Sequence, residues 1–420
     1  GTHESSFPTP GLEYWIQKDG SAALSHVIQV RNETASTWYE AFVDAHSGEV
    51  ISVVDFVAHA TYRVLPIHKQ VPTDGFETLV DPADPLASPE GWNGDLTRTL
   101  GNNAISYRSS LGDTTGESDD NLTFIYDYDF NVPPDDDNST NVQFAEVNAF
   151  YVVNTMHDIT YRYGFTESNY NFQNDNFGKG GDPGADRVLI SVQDSGGMGN
   201  AFFSTPPDGQ SPTLTLELAI AYGNPITFTH GVSNRMTGGG TGRCLQTLEA
   251  SGMGEGWSDS MADWTEQTAD MKDWYFEQWI SNDAEGTRTH PYSTSMTTNP
   301  LVYADVTTVP QEAHYIGEIW ANMLHNVHAA LIDAHGFSTT ANTNPDGTEG
   351  NIVWLHLFID SFPIQPCQPT FVTARDAWIQ ADVNRYNGAN KCTLWKAFSS
   401  RGLGPNAQNY TNDFSVPDGC

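Results

Sequence analysis

Positive charge is the scarcest commodity in this chain: 18 lysines and arginines stand against 53 aspartates and glutamates in 420 residues, a formal charge of −35. A field of that sign repels nucleic acid and anionic membrane, so neither is an expected partner, and solubility alone accounts for it. Long apolar runs are missing too. No segment approaches the roughly eighteen apolar residues needed to cross a bilayer, because Asp, Asn, His or Gly interrupts each one. Cysteine is sparse and never spaced C-x-x-C, which argues against a thiolate zinc site. The four residues Cys244, Cys367, Cys392 and Cys420 instead suggest two disulfides. Of the three possible pairings, Cys367 with Cys392 is the expected one, because it closes a short loop. A G-x-S-x-G nucleophile elbow is absent, and Asn174–Gly181 lacks the spacing of a phosphate loop, so it reads as a Gly-rich turn.

What is present starts with period-two alternation. His26–Val30, Thr37–Val43 and Val50–Phe56, with a turn at Asp44-Ala-His-Ser-Gly48, read as a meander of strands. Pro, Gly, Asp and Asn dominate from Pro72 to Asp137, which implies loops and short strands. Helical spacing then begins. One helix is expected over Phe144–Phe165, with Phe144, Val147, Tyr151, Asn154, His157 and Tyr161 on one stripe and Gly164 as its cap. Others are expected over Met253–Glu266, His314–His335, Phe371–Tyr386 and Thr393–Ser400. Asn-x-Ser/Thr sequons at Asn32, Asn121, Asn138 and Asn409 suit a glycosylated, secreted protein. The start, Gly1-Thr-His-Glu-Ser-Ser6, carries no basic or apolar leader, so a secreted chain of this sequence would begin downstream of its signal peptide.

The residues with chemical content lie between Gly223 and Asp259. In H-E-x-x-H, one helix face carries two zinc-binding histidines at i and i+4, and the Glu beside the first is the general base. The same register here reads Ile226-Thr227-Phe228-Thr229-His230. His230 opens Gly-Val-Ser-Asn-Arg235, and Gly252-Met-Gly-Glu255-Gly-Trp-Ser-Asp259 follows. On a helix, Glu255 and Asp259 project from one side.

These runs resemble the fungalysins, secreted fungal zinc endopeptidases related to thermolysin, over about residues 24–420. The resemblance implies an α+β, thermolysin-like zincin. It divides the chain into the C-terminal part of a propeptide (1–60), a β-rich N-terminal catalytic subdomain (61–250) and a mainly helical C-terminal one (251–420), with the mature enzyme beginning near Ala58–Thr61. The implied reaction is endopeptidase cleavage of extracellular proteins by a monomer, with zinc as cofactor and protein substrates and the chain's own propeptide as partners.

Carried over by resemblance, His230 and Glu255 are zinc ligands, Asp259 supports the site, and His314 stabilises the oxyanion. Asn200 and Ala201 lie on a cleft-lining edge strand. The first zinc histidine falls on Ile226 and the base on Thr227, neither of which can do that work. Asp259 therefore lacks its usual histidine. His157 is an alternative ligand, although a buried, satisfied histidine fits it better. The match is good through Pro206–Gln210 and again from Thr229, but Ser211–Phe228 fits poorly and is too short. A mismatch with such sharp edges points to a missing or misread segment. Pro225 is tolerated only near a helix start. The expected activity is accordingly impaired or absent, the other reading being a catalytically silent secreted binder that keeps the cleft.

Overall fold

In a computed structural model the chain is described except for residues 1–10, 17–19, 33–36, 56–59, 95, 109–117, 119–121, 133–139, 182–183 and 219–224. The Ala58–Thr61 junction falls partly outside these residues, as do Asn121 and Asn138; Asn409 lies on an exposed turn. No helix among the described residues is long and apolar enough to cross a membrane.

The N-terminal meander forms as expected and gains a strand. β1 (Gly11–Ile16), β2 (Ala22–Asn32), β3 (Thr37–Asp44) and β4 (Val50–Asp55) pair antiparallel in that order. The β3–β4 turn closes because Asp44 Oδ1 accepts the N–H groups of His46 at 2.9 Å and Ser47 at 2.8 Å. Gly48 then supplies a φ of +73° that side chains resist. Trp15 meets Phe42 at 4.3 Å on one face, while Leu12, Tyr14 and Ile16 are exposed on the other.

Short strands follow, as the turn-rich composition implies: β5 (Thr61–Val64), β6 (Glu77–Val80), β7 (Ala104–Arg108) and β8 (Thr123–Phe124). After α1 (Asn141–Arg162) come β9 (Val188–Met198), β10 (Ala201–Ser204) and β11 (Thr213–Leu218). One sheet runs β6-β5-β8; the other runs β10-β11-β9-β7, with β10 antiparallel at its edge. The expected stripe of α1 is buried, but so are its other faces, because the helix packs on β5, β7, β9 and the helix after β11.

The remainder is helical: α2 (Pro225–Met236), α3 (Leu248–Glu266), α4 (Gln278–Ser281), α5 (Ala313–His335), α6 (Gly350–Ser361), α7 (Phe371–Tyr386) and α8 (Lys391–Ser400). α3 starts five residues before the expected Met253, because Thr247 caps it by accepting the Ala250 N–H at 3.2 Å. Periodicity misses the short α4 and the longer α6. Almost every residue in α6 is buried, so it has no polar face to reveal its period.

α3 and α5 cross at van der Waals distance. A Cβ on Gly256 would stand 2.5 Å from the Gly317 carbonyl oxygen, one on Gly252 would stand 2.5 Å from Ile316, and one on Gly317 would stand 2.7 Å from the Glu255 Cβ. Gly256 and Gly317 let backbone meet backbone, and Gly252 leaves room for the Ile316 side chain. Beside the crossing, Trp257 packs edge-on to Trp320 at 6.0 Å and to Phe362 at 5.2 Å.

The disulfides correct the sequence-based pairing: Cys244 joins Cys367, and Cys392 joins Cys420. Cys367 and Cys392 are close in sequence, but the 16 residues of α7 lie between them and span about 24 Å as a helix. Cys244 is instead brought to Cys367 by backbone pairing, with the Gln368 N–H donating to the Cys244 carbonyl at 2.9 Å.

Gly256→Ala is expected to destabilise the protein by at least about 1–3 kcal/mol through overpacking, read as a fall in the denaturant midpoint; an unchanged midpoint would contradict the crossing. A second expectation concerns His328, which is fully buried on α5 with neither ring nitrogen hydrogen-bonded to protein. Burial pushes its imidazole from the ordinary 6.5 down to about 3. Between those values the unfolded chain binds a proton that the folded one refuses, so stability falls as pH drops through that window. His328→Leu should move the acid-unfolding midpoint to lower pH.

Candidate active site

α2 begins at Pro225, where a missing N–H costs nothing and the fixed φ suits a first turn. The incomplete motif therefore occupies the opening turns, with Ile226 and His230 one above the other. Three packing features hold the helix. Phe228 packs among Phe165, Phe172 and Phe203, at 6.5, 5.8 and 6.5 Å. Gly231 lies against Phe203, where a Cβ would approach the ring to 2.5 Å. Arg235, fully buried, donates to Asp186 at 2.7 Å, Asp208 at 2.8 Å and the Gln210 carbonyl at 3.1 Å. The run from Thr229 to Arg235 thus anchors α2 to the loop before β11.

So placed, His230 presents Nε2 to Glu255 Oε2 on α3 at 3.3 Å, with side chains 18% and 21% exposed. Burial alone would lower the His230 pKa, but Glu255, and behind it Asp259, outweigh burial and raise it. For Glu255 burial works upward. His230, with help from His314 and Arg288, overcomes that and holds the carboxyl at about 2. The pair is an ionic contact between α2 and α3.

Asp259 is fully buried one turn further along α3. Its carboxylate is satisfied by an arginine and a tyrosine. Arg288 donates Nε and Nη2 to its two oxygens at 2.8 and 3.0 Å, and the Tyr292 hydroxyl donates a third bond. Arg288 also lies over the Phe276 ring at 4.4 Å. Its pKa is raised: burial opposes the charge, and Asp259 more than restores it. The loop that delivers these residues is pinned at Trp274, which exchanges 2.9 Å backbone bonds with Tyr292 and stacks on it at 5.8 Å. The Trp274 indole donates to Glu266 at 2.6 Å. Ile226 packs against this group, with Trp274, Phe276, Tyr292, Ala262 and Ala321.

His314 is the second residue of α5, half exposed. Glu312 caps the helix by accepting the His314 N–H at 3.0 Å and holds its Nδ1 at 2.7 Å. His314 Nε2 faces Glu255 Oε2 at 3.5 Å. The structure therefore brings His230, Glu255 and His314 together, with Asp259 behind them. Asn200 and Ala201 sit at the sheet edge beside α2: the Ala201 N–H is closed by the Asn200 side chain at 2.8 Å, and the Asn200 N–H is held by Glu217 at 3.1 Å. His157 stands apart, buried, with Nδ1 on Asp158 at 3.0 Å and Nε2 on Gln173 at 3.1 Å. Thr227 is buried in α2, and its hydroxyl is no base.

Among the described residues, no group of three or more His, Cys, Asp and Glu stands ready to hold a metal ion. His230 and Glu255 fit two corners of a zinc shell by donor type and spacing, and Ile226 offers no third. Arg288, Tyr292 and Glu312 escaped the sequence reading. The one signal for Arg288 and Tyr292 is the pair of basic and aromatic residues in Arg288-Thr-His-Pro-Tyr292, which acquires meaning only beside Asp259.

The family model described as Fungalysin metallopeptidase (M36) matches residues 61–407. Extracellular metalloproteinase 2 of Arthroderma otae is 39% identical over 455 aligned positions, covering 99% of this chain and 70% of its own. Extracellular metalloproteinase MEP of Pyricularia oryzae is 39% identical, covering 98% of this chain and 68% of its own. Extracellular metalloproteinase mep of Aspergillus fumigatus is 38% identical, covering 99% and 69%.

Arg288→Ala would leave Asp259 buried with its charge uncompensated. It is expected to cost about 3–5 kcal/mol, measured by denaturant unfolding, with Arg288→Lys falling between it and the parent because one charge remains but the fork does not. A loss below about 1 kcal/mol would mean that the pair is not buried in solution.

Proposed function

The chain belongs to the fungalysin metallopeptidases, and on that premise we propose that it is a secreted, thermolysin-like zinc endopeptidase whose own site is impaired or silent. Residues 1–60 are read as the C-terminal part of a β propeptide, with 61–250 and 251–420 as the two catalytic subdomains. The observation that carries the reading is the 3.3 Å approach of His230 to Glu255, with Ile226 and Thr227 one turn earlier on the same helix.

A zinc ion held at His230 and Glu255 would polarise a scissile carbonyl and acidify its bound water. Around it, the edge of β10 offers backbone groups to an extended peptide, Asp259 fixes Arg288 beside Glu255, and His314 presents a ring nitrogen where a developing oxyanion would need one. No residue at position 227 can accept the water's proton, and removal of a positioned base costs about 10²- to 10⁴-fold. The comparison with the Arthroderma otae relative needs 455 aligned positions against 420 residues here, so at least 35 have no residue in this chain.

The alternative, a silent binder retaining the cleft, is favoured by Ile226, which packs into an apolar group instead of facing a metal. Casein hydrolysis by the purified 420-residue protein should lie at least about 100-fold below that of a relative with an intact motif. Chelator-sensitive turnover at the relative's rate would refute the impairment. Ile226→His with Thr227→Glu restores both donor types and should raise chelator-sensitive hydrolysis; no gain would favour the silent binder.

A further inference from the structure

The arginines that the fold takes inside are neutralised, with one exception. Arg235 faces Asp186 and Asp208, Arg288 faces Asp259, and Arg375 faces Asp376. Arg401 is fully buried, and among the described residues no carboxylate pairs with it. Its Nη1 donates to the Asn299 carbonyl at 2.6 Å and to the Met296 sulfur at 2.9 Å, Nη2 donates to the Ser293 carbonyl at 2.6 Å, and Nε has no partner. Burial, opposed by no nearby negative charge, brings its pKa down to about 10. A buried cation held this way is short of negative charge, and the thioether is the weakest of its acceptors.

Met296 is also placed unlike most methionines of this chain. Met156, Met236, Met253, Met261 and Met323 are buried, whereas Met296 is 46% exposed. It sits on a turn that the Asn299 N–H closes on the Ser295 carbonyl at 2.9 Å, with Ser295 Oγ accepting from the Thr297 and Thr298 N–H groups. Oxidation of a thioether requires access, so solvent oxidants reach this one and not the five in the core. A reachable sulfur thus rests on an unneutralised guanidinium.

We propose that Met296 is a peroxide-modified site whose sulfoxide serves as the acceptor that Arg401 lacks, so that oxidation tightens the fold there instead of damaging it. The sulfur lone pair takes the terminal oxygen of a hydroperoxide. An S–O bond forms as the O–O bond breaks; sulfur loses two electrons, the peroxide gains them, and its second oxygen leaves with the proton as water or an alcohol. Because the side chain lies on an exposed turn, rotation about its terminal bonds turns the new dipolar oxygen toward Nη1, where it accepts a charge-assisted bond in place of the sulfur's weak one. The same guanidinium clamps Ser293 and Asn299, and Ser293 is tied to α5 through Asn322 at 2.9 Å and Asn326 at 3.1 Å. The fastened segment follows directly on Tyr292, so the modification acts on the loop that carries Arg288. None of this depends on whether the chain binds zinc or cleaves protein.

The test exposes the whole 420-residue chain to dilute hydrogen peroxide and follows methionine oxidation by peptide mass spectrometry beside the thermal unfolding midpoint. Met296 is expected to gain one oxygen at least about 10-fold faster than the five buried methionines, and the midpoint to rise by about 1–3 °C at that stage. Methionine sulfoxide reductase should return it to its starting value. Met296→Leu, which keeps the bulk and removes the sulfur, should show no rise under peroxide. Met296→Gln offers an amide oxygen at similar reach and should raise the midpoint without oxidant, and in an Arg401→Lys background at least about half of that gain should disappear. Should Arg401→Lys fail to fold, the Leu and Gln variants at the exposed position 296 decide. A Met296 that resists peroxide overturns the proposal, and so does a sulfoxide that leaves the midpoint unchanged or lowers it.

Discussion

The site depends on the absence of three side chains. Gly256 and Gly317 let α3 and α5 meet backbone to backbone, with Gly252 making room for Ile316, and from that contact the rest is geometry. Glu255, next to Gly256, is brought close to the first turn of α5, and His314, one turn before Gly317, comes within 3.5 Å of it. Were the helices even an ångström further apart, carboxylate and imidazole would interact only through water. The tryptophans flanking the crossing, Trp257 and Trp320, are fully buried and make it a packed joint instead of a sliding one.

Charge balance is the second constraint. Glu255, Asp259, Glu277 and Glu318 all lie in the field of Arg288, and one guanidinium cannot neutralise four carboxyls. The structure answers unequally. Asp259 receives the bidentate pair, and Glu255 is kept ionised by the histidines, while burial raises the pKa of Glu277 and of Glu318. Further along α3, burial pushes Glu266 up to about 8 while it still accepts the Trp274 indole. The loop bearing Arg288 is thus tied to α3 at both ends, at Asp259 and at Glu266, and this explains how a long irregular segment can aim one arginine.

Much of this was legible from residue order. The β2–β4 meander followed from alternation and one glycine turn, α5 and α7 from apolar spacing with their caps, and the placement of His230, Glu255 and His314 from family-like runs. What escaped had no local signature. α6 is buried on every side and therefore shows no period. β1 is a short run before a turn, and the link between Cys244 and Cys367 depends on a backbone pairing across most of the helical half. Arg288 and Glu312 are ordinary polar residues until the fold sets them against Asp259 and His314. The break in resemblance before α2 lies in the residue order itself, and Pro225 at the first helical position is how the chain starts a helix there.

The Cys244–Cys367 bond closes a ring of chain over a sequence separation of 123 residues, and Glu255, Asp259, Arg288 and His314 all lie inside it. His230 stands fourteen residues outside, on the helix that leads into the first cysteine. A single backbone cut within the ring cannot release a fragment: the two pieces stay covalently joined and the helices remain packed. This makes the site tolerant of nicking, and a cleaved molecule would run as two bands only after its disulfides were reduced.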